Sequence, residues 1–252
     1  MAPAPAIRSC SPAKGGRILE HADAVLFDHL GPAALLDLAP PSAERLYVGK
    51  KKSQHAFSQQ EICDMLIDRA RRGLTVVRLK GGDPLIFGRG GEEAEALADA
   101  GISFELVPGV TSPLGIAAYA GVPLTHRGRS TSVTFVAGHE VDAVDWRTVG
   151  QADTLVIFMG MSAFPEIARE LMASGRSPET PAIAVRWATR SDQESLEGTL
   201  ESLPRLIAEG RSEATRDHYR WRGGPVARKA ELVRAPATVR TPHRQYTAEG
   251  SG

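Results

Sequence analysis

Short apolar runs alternate with longer amphipathic segments through most of this chain. The segment 58–73 opens with Ser58 and Glu61 at the spacing of a capping box, repeats apolar residues on one helical face and stops at a glycine. The run LTVVRL at 74–79 is rich in β-branched residues, and ISFELVPG at 102–109 predicts a further strand. Strands that alternate with helices predict an α/β fold with mostly parallel sheets.

The chain length sets the expected domain organisation. With 252 residues, the chain can form one large domain or two small ones. The region around 108–129 is a natural join, so we expect an N-terminal α/β subdomain at 14–111 and a C-terminal one at 112–209. The opening residues have no strand or helix period, and 210–252 is rich in Arg, Pro and Gly. We therefore expect irregular structure at both ends.

The composition argues against several classes of partner. Lys plus Arg and Asp plus Glu both number 30, so no net field attracts nucleic acid or an acidic membrane. No apolar stretch approaches the roughly 18 residues of a membrane span, and no signal-peptide pattern opens the chain. The two cysteines, Cys10 and Cys63, lack metal-like or disulfide-dense spacing. We expect a cytoplasmic protein without a metal site.

A glycine-rich segment follows the β-branched run, and together they read VVRLKGGDPLIFGRGGEE at 76–93. In α/β sheets, ligands bind beyond the carboxyl ends of strands. Gly81 and Gly82 would let a ligand approach the backbone because they carry no Cβ, and Asp83 could accept hydrogen bonds from a ribose diol or an amine. The pattern fits a nucleoside-like cofactor and an ordinary glycine-rich turn about equally well.

Three charged residues stand at the start of the helix predicted after this segment. Glu92 and Glu93 could simply be favourable charges near a helix N-terminus. Arg89 opposes the same dipole, which makes it a candidate for binding an anionic ligand.

The segments 77–93 and 106–127 together resemble the uroporphyrinogen-III C-methyltransferases, which are tetrapyrrole methylases. TLVIFMGM at 154–161 and the segment 181–200 extend the similarity over roughly Lys14–Glu209. The resemblance implies two α/β domains with a cleft between them, and a homodimer. It also implies that S-adenosyl-L-methionine donates methyl groups to C2 and C7 of uroporphyrinogen III, giving precorrin-2 for sirohaem and cobalamin biosynthesis.

The resemblance further implies roles for individual residues. The residues expected to bind S-adenosylmethionine are Gly81, Gly82, Asp83, Ile86, Thr111, Ser112, Met159 and Ala188. Those expected to act on the tetrapyrrole are Asp28 as proton acceptor, Lys50 as proton donor, and Arg89, Glu92 and Arg127 for holding or deprotonating it. A sulfonium already activates the methyl group, so no metal is needed. Without the resemblance, Asp28 could be a helix cap, Lys50 a solvated lysine, Arg127 a loop charge and Met159 a core residue.

The chain departs from the family pattern at several places. The family usually has Ala where Ser112 stands and Gly where Ala188 stands. It begins with an apolar strand and a Gly-x-Gly-Pro-Gly-Asp loop, whereas this chain begins MAPAPAIRSCSP. It ends with an apolar strand, whereas this chain continues into its Arg- and Pro-rich residues. Two alternatives follow: a methyltransferase acting on another precorrin, and a non-catalytic remnant that binds the cofactor weakly.

Overall fold

The computed structural model describes residues 12–29, 33–49, 57–190 and 192–210. Lys50 and the segment 211–252 lie outside the described residues, and so do the first eleven. The helices are α1 (Ala13–Leu19), α2 (Ala33–Leu36), α3 (Gln59–Arg71), α4 (Gly90–Asp99), α5 (Ser112–Ala120), α6 (Trp146–Val149), α7 (Phe164–Ala173) and α8 (Leu203–Gly210), with a 3-10 turn at Val141–Ala143. The strands are β1 (Ala24–Phe27), β2 (Glu44–Tyr47), β3 (Val76–Leu79), β4 (Val133–Ala137), β5 (Thr154–Phe158), β6 (Pro181–Arg186) and β7 (Glu194–Thr199).

The first sheet has the order β2-β1-β3, with both pairings parallel. Strand β1 is the central strand, and its side chains alternate between two apolar layers. Val25 packs against residues of α1 and α2, and Leu26 packs against residues of α3. Both side chains are fully buried. Helices therefore cover both faces of this sheet, as expected for parallel strands.

The capping box predicted for α3 is confirmed. Ser58 Oγ accepts a hydrogen bond from the Glu61 backbone N–H at 3.2 Å, and the Ser58 N–H donates to the Glu61 carboxylate at 2.6 Å. These two bonds satisfy donors that the first turn of a helix otherwise leaves without partners. They fix where α3 begins, and α3 in turn covers one face of the first sheet.

The second half of the chain contains two strand pairs. Strands β4 and β5 are parallel, and β6 and β7 are antiparallel. Helix α7 buries Ile167 and Leu171 against the β4–β5 pair, while α8 buries Leu203 and Ile207 against the β6–β7 pair. Parallel pairings predominate in the described chain, so the α/β prediction with mostly parallel sheets is confirmed. The division at 111/112 stays a prediction.

Two predicted local structures are wrong. Residues 102–109 form no strand, because within the described chain they have no strand to pair with. Ile102 N–H donates instead to Leu97 O at the end of α4. Helix α1 begins at Ala13, inside an opening expected to be irregular. It forms because Leu19 is buried against the first sheet. Glycine disfavours a helix, so the two glycines in its sequence gave no indication of one. No described helix is long and apolar enough to cross a bilayer.

We expect Ser58→Ala to lower the free energy of unfolding by about 1 kcal/mol, because it leaves the N-terminal N–H of Glu61 without its acceptor. Urea denaturation followed by far-UV circular dichroism measures the change. The control is Ser103→Ala, an exposed serine outside the helices and strands, which should change the free energy by less than about 0.5 kcal/mol. Equal effects of the two substitutions would contradict the capping role.

Candidate functional site

A large cavity of 1590 Å³ is lined by residues from both halves of the chain. We call it the site cavity. It exceeds the roughly 300–1,000 Å³ of ordinary small-molecule pockets, because it also extends along strands β3, β5 and β6. Each of these three strands pairs on only one side within the described chain. Loops after β1, β3, β5 and β6 line the same space, as expected for a ligand site in an α/β fold.

The glycine loop, Gly81–Asp83, forms one wall of the site cavity. Gly82 has φ of 80°, a conformation that side chains disfavour. The loop lies against Gly109 so closely that a Cβ on Gly109 would meet Gly82 O at 2.1 Å. Asp83 holds the two segments together, because its Oδ2 accepts from the Gly109 N–H at 2.8 Å and its Oδ1 from the Leu85 N–H at 2.9 Å. Each oxygen retains a lone pair that can accept from a ligand.

The glycines that follow have a packing role. A Cβ on Gly88 would lie 2.6 Å from Pro84 O, and one on Gly90 would lie 2.5 Å from the same atom. The chain therefore folds tightly over Pro84 before α4 begins, and only glycine fits at these two positions. The sequence suggested ligand approach as the role of Gly81 and Gly82 and gave no role for Gly88 and Gly90. The structure shows a steric role for Gly88 and Gly90, and ligand approach at Gly81 and Gly82 stays a prediction.

Arg89 and Glu92 form an exposed ion pair at the start of α4. Arg89 Nε lies 2.8 Å from Glu92 Oε1, and Arg89 Nη2 lies 2.6 Å from Glu92 Oε2. This bidentate pairing keeps the pKa of the Glu92 carboxyl below its usual value and raises the pKa of Arg89. Arg89 lines the site cavity, whereas Glu92 is held beside it by the arginine. The arginine that opposes the helix dipole thus has a local partner and is part of the cavity lining.

The other residues expected at the cofactor site also line the site cavity. They are Ile86, Thr111, Ser112, Met159 and Ala188. Thr111 is buried at the N-terminus of α5, and Met159 is 54% exposed. An exposed side chain at this place does not support the core alternative for Met159.

Backbone strain is concentrated around the same cavity. All five non-glycine residues with positive φ in the described chain line it, namely Phe87, Arg89, Met159, Trp187 and Thr189. Such conformations each cost of order 1–3 kcal/mol and cluster at functional sites. The strain independently marks the site cavity as the candidate active site.

Of the predicted proton-transfer and substrate residues Asp28, Lys50 and Arg127, the structure places only Asp28 in the lining of the site cavity. Asp28 follows β1, lines the site cavity and accepts a hydrogen bond from Arg78 Nη2 at 3.0 Å. Lys50 lies outside the described residues. Arg127 is exposed in a turn closed by the His126–Ser130 backbone bonds, and it is not part of the cavity lining. Its role in holding the tetrapyrrole stays a prediction.

Sequence reasoning missed a buried charged cluster in the cavity wall. Glu93 Oε1 accepts from Gln59 Nε2 at 3.1 Å, from Arg78 Nε at 3.2 Å and from Lys80 Nζ at 2.9 Å. Burial lowers the pKa of the Lys80 amine, and its hydrogen bond to Glu93 opposes that shift. The available signal was the alternation VVRLK, which places two cations on one face of an otherwise apolar strand.

An aromatic and basic cluster connects the two halves of the chain. The guanidinium carbon of Arg190 lies 4.5 Å from the Trp187 ring centroid, and that of Arg186 lies 5.3 Å from it. The ring of His29, which follows β1, meets the Trp187 ring edge-on at 5.9 Å. These contacts place the turn after β6 against the end of the first sheet, so residues from both halves enclose the site cavity.

We expect Gly109→Ala to lower the free energy of unfolding by about 1–3 kcal/mol, because the new methyl group would overlap Gly82 O. Gly91→Ala is the matched control, since a Cβ there meets no atom within 4 Å. Alanine in a helix should leave stability unchanged or raise it by up to about 1 kcal/mol. Urea denaturation of both variants measures the difference. A Gly109→Ala protein as stable as the parent would show that the two loops do not touch.

Replacing Arg89 by Gln should raise the pKa of Glu92 toward its ordinary value, because the guanidinium favours the ionised carboxylate. A ¹³C NMR titration of the Glu92 carboxyl in both proteins measures this shift. Arg169→Gln serves as the control, since Arg169 pairs with Glu166 on α7. An unchanged Glu92 titration in Arg89→Gln would show that the pair does not form in solution.

Comparisons with known proteins agree with this geometry. Residues 12–204 match the family of tetrapyrrole (corrin/porphyrin) methylases. The siroheme synthase of Chromobacterium violaceum is 50% identical over 196 residues, which cover 76% of this chain and 42% of that protein. The siroheme synthase of Pseudomonas paraeruginosa is 49% identical over 197 residues, covering 77% of this chain and 42% of that protein. The chain thus spans about two fifths of the length of these relatives.

Two solved structures have the same fold. Uroporphyrin-III C-methyl transferase from Thermus thermophilus, complexed with S-adenyl homocysteine, is 39% identical with a TM-score of 0.68, over 83% of this chain and 89% of that chain. The cobalt precorrin-4 methyltransferase CbiF is 27% identical with a TM-score of 0.71, over 80% of this chain and 84% of that chain. S-Adenosylmethionine is the methyl donor of the family, so the cofactor prediction is confirmed at that level. The chain belongs to the tetrapyrrole methylase family.

Proposed function

We propose that this chain transfers methyl groups from S-adenosylmethionine to C2 and C7 of uroporphyrinogen III, giving precorrin-2 for sirohaem and cobalamin biosynthesis. One observation carries the proposal: the glycine loop and Arg89 line the same cavity. A site for a nucleoside-containing methyl donor therefore adjoins a cation suited to a carboxylate-rich macrocycle. The 39% identity to the Thermus thermophilus enzyme, over 89% of its chain, supports this substrate.

The site cavity fits S-adenosylmethionine. Gly82 has φ of 80°, and a Cβ built there would make van der Waals contact with Thr111 Cα at 3.8 Å and Ser112 N at 3.9 Å, so the glycine loop lies against the residues that begin α5. Ile86, Met159 and Ala188 supply apolar surface, and Ser112 is exposed at the start of α5. These residues, with Gly81, Asp83 and Thr111, would hold the donor. When bound, it supplies a methyl group activated by a sulfonium, so the protein's main task is to orient the reactants.

Arg89 is suited to hold a carboxylate of the acceptor. Its side chain is exposed and already makes a bidentate ion pair with Glu92. A carboxylate of the tetrapyrrole can replace Glu92 as its partner with the same geometry, because guanidinium groups bind carboxylates through parallel N–H bonds. Arg127 would contribute a second cation. Lys50 is proposed as proton donor on the sequence alone.

Methyl transfer forms a carbon–carbon bond to the ring as the sulfur–methyl bond breaks, and the methylated ring then loses a proton. A carboxylate near the ring can accept this proton. We assign that role to Asp28, because it lines the site cavity and is only 23% exposed. Glu92 lies outside the cavity lining, so we assign it to holding Arg89 in place until a carboxylate of the acceptor replaces it. We also propose a cytoplasmic homodimer, as expected for this family.

A second function within the same family has a specific observation in its favour. CbiF superposes with a higher TM-score, 0.71, than the uroporphyrin-III enzyme at 0.68. Methylation of a different precorrin is therefore the alternative. The identity of only 27% to CbiF, against 39% to the uroporphyrin-III enzyme, favours the first proposal.

Incubation of the full chain with uroporphyrinogen III and methyl-labelled S-adenosylmethionine should place two labelled methyl groups on each tetrapyrrole, as read by mass spectrometry. Arg89→Ala should lower kcat/KM for the tetrapyrrole about 10- to 100-fold, since it removes a charge-assisted contact. The KM for S-adenosylmethionine should change less than about twofold, because the donor is assigned to other residues.

Arg72→Ala is the control, since Arg72 is an exposed arginine that pairs with Asp68 on α3. It should retain the parent activity. Methylation of a precorrin but not of uroporphyrinogen III would favour the alternative enzyme. Absence of S-adenosylhomocysteine binding by calorimetry would favour the non-catalytic remnant.

A further inference from the structure

Four charged side chains of alternating sign form a continuous chain in the wall of the site cavity. Lys80 Nζ lies 2.9 Å from Glu93 Oε1, Arg78 Nε lies 3.2 Å from the same oxygen, and Arg78 Nη2 lies 3.0 Å from Asp28 Oδ2. The side chains of Lys80, Glu93, Arg78 and Asp28 are 10%, 7%, 13% and 23% exposed. The chain of charges thus runs from a deeply buried end to the partly exposed carboxylate of Asp28.

Strand register brings these groups together. Leu26 of β1 is paired with Arg78 of β3, so Asp28 and Lys80, each two residues further on, extend toward the same face. That face is the one covered by α3. Glu93 reaches the cluster from the first turn of α4, which follows the glycine loop. Strand β3 and helix α4, which flank the glycine loop, therefore also carry members of the charged cluster.

The arginine at the centre of the cluster is fixed by four contacts. Arg78 Nε binds Glu93 and Nη2 binds Asp28, while Nη1 donates to Leu79 O at 2.9 Å and to Leu26 O at 3.4 Å. Because each nitrogen is engaged, a change in the position of Glu93 is transmitted to the group that binds Asp28. A planar guanidinium can bridge two carboxylates in this way, whereas an ammonium cannot do so in a fixed geometry.

Stability alone does not account for such a cluster. Apolar side chains of similar volume are often as stabilising as buried ion pairs, or more so, because charges lose their hydration on burial. The same sheet face is otherwise apolar, since Leu26, Leu46 and Val76 pack there against Ile62 and Leu66 of α3. The charges lie at the end of the sheet where Asp28 follows β1, and Arg78 links them to it. This distribution links the cluster to the carboxylate in the cavity rather than to general packing.

We propose that Glu93 is a positioning residue for Asp28, acting through Arg78, and that Gln59 and Lys80 hold Glu93 in place. The inference rests on the proposed role of Asp28 as acceptor of the proton from the methylated ring. Glu93 itself does not touch the reactants in this scheme. It fixes the orientation of the Asp28 carboxylate toward the space where the acceptor binds.

Kinetic measurements on Glu93→Gln test the proposal, since the variant keeps the shape of the side chain and removes its charge. We expect kcat to fall about 10- to 100-fold through misalignment of Asp28, with both KM values changing less than about twofold. In an Asp28→Asn background the same substitution should change the residual rate less than about twofold, because the group it positions is gone. Glu95→Gln, an exposed residue of α4, is the control and should retain the parent kinetics.

A second measurement does not depend on turnover. The free energies of unfolding in urea of the parent, Glu93→Gln, Asp28→Asn and the double variant form a cycle. Because the two carboxylates share Arg78, we expect the single changes not to add. In the Glu93→Gln protein, NMR should also find the pKa of Lys80 lower than in the parent, since the carboxylate whose hydrogen bond and negative charge raise it has become a neutral amide.

The outcomes separate the two proposals. Non-additive unfolding energies together with no methylation by the parent would support the link from Glu93 to Asp28 and overturn the proposed function. Additive energies, full activity of Glu93→Gln, or an equal loss in the Asp28→Asn background would overturn the positioning role. If Glu93→Gln does not fold, Arg78→Lys replaces it, because lysine keeps the charge and cannot bridge both carboxylates. Its loss of kcat should likewise disappear in the Asp28→Asn background.

Discussion

The double pairing of β1 is the constraint on which the rest of the structure depends. This strand is hydrogen-bonded to β2 on one side and to β3 on the other, and its Ala24, Val25 and Leu26 are fully buried. Its register places Asp28 at the end of the first sheet and sets Arg78 beside it. The same pairing delivers the end of β3, and with it the glycine loop, to the wall of the site cavity. The pairing of β1 with its two neighbours therefore fixes both the packing of the first sheet and the positions of the candidate site residues.

A second constraint joins the glycine loop to the segment before α5. Asp83 uses both carboxylate oxygens to hold backbone N–H groups of Leu85 and Gly109. The close approach of Gly109 to Gly82 follows from this arrangement. Asp83 thus shapes this wall of the site cavity. Asp83, which was predicted from the sequence to bind the cofactor, therefore also stabilises the loop, and the two roles are compatible.

Local features of the fold and site could be predicted from the sequence, and non-local ones could not. The capping box depends on two residues three positions apart, Ser58 and Glu61, so the sequence alone is enough to predict it. The segment 102–109 has a strand composition, but a strand also needs a partner, and within the described chain there is none. The Arg78–Glu93 contact depends on how α4 returns over the sheet, which no local pattern encodes. Arg89 was singled out from the sequence because it opposes the helix dipole, whereas its left-handed backbone and its pairing with Glu92 were not predicted. Family resemblance supplied the candidate residues themselves, and the structure gathers most of those it describes around one cavity.

Within the part of the chain that the structure describes, β3, β5 and β6 each pair on one side only, which has a consequence for handling the protein. Backbone N–H and C=O groups on the outer side of an edge strand can hydrogen-bond to any extended polypeptide that reaches them. A formal charge of +0 provides no mutual repulsion between copies. Self-association during synthesis therefore competes with folding, and slow, cool expression at low protein concentration favours recovery of dispersed material.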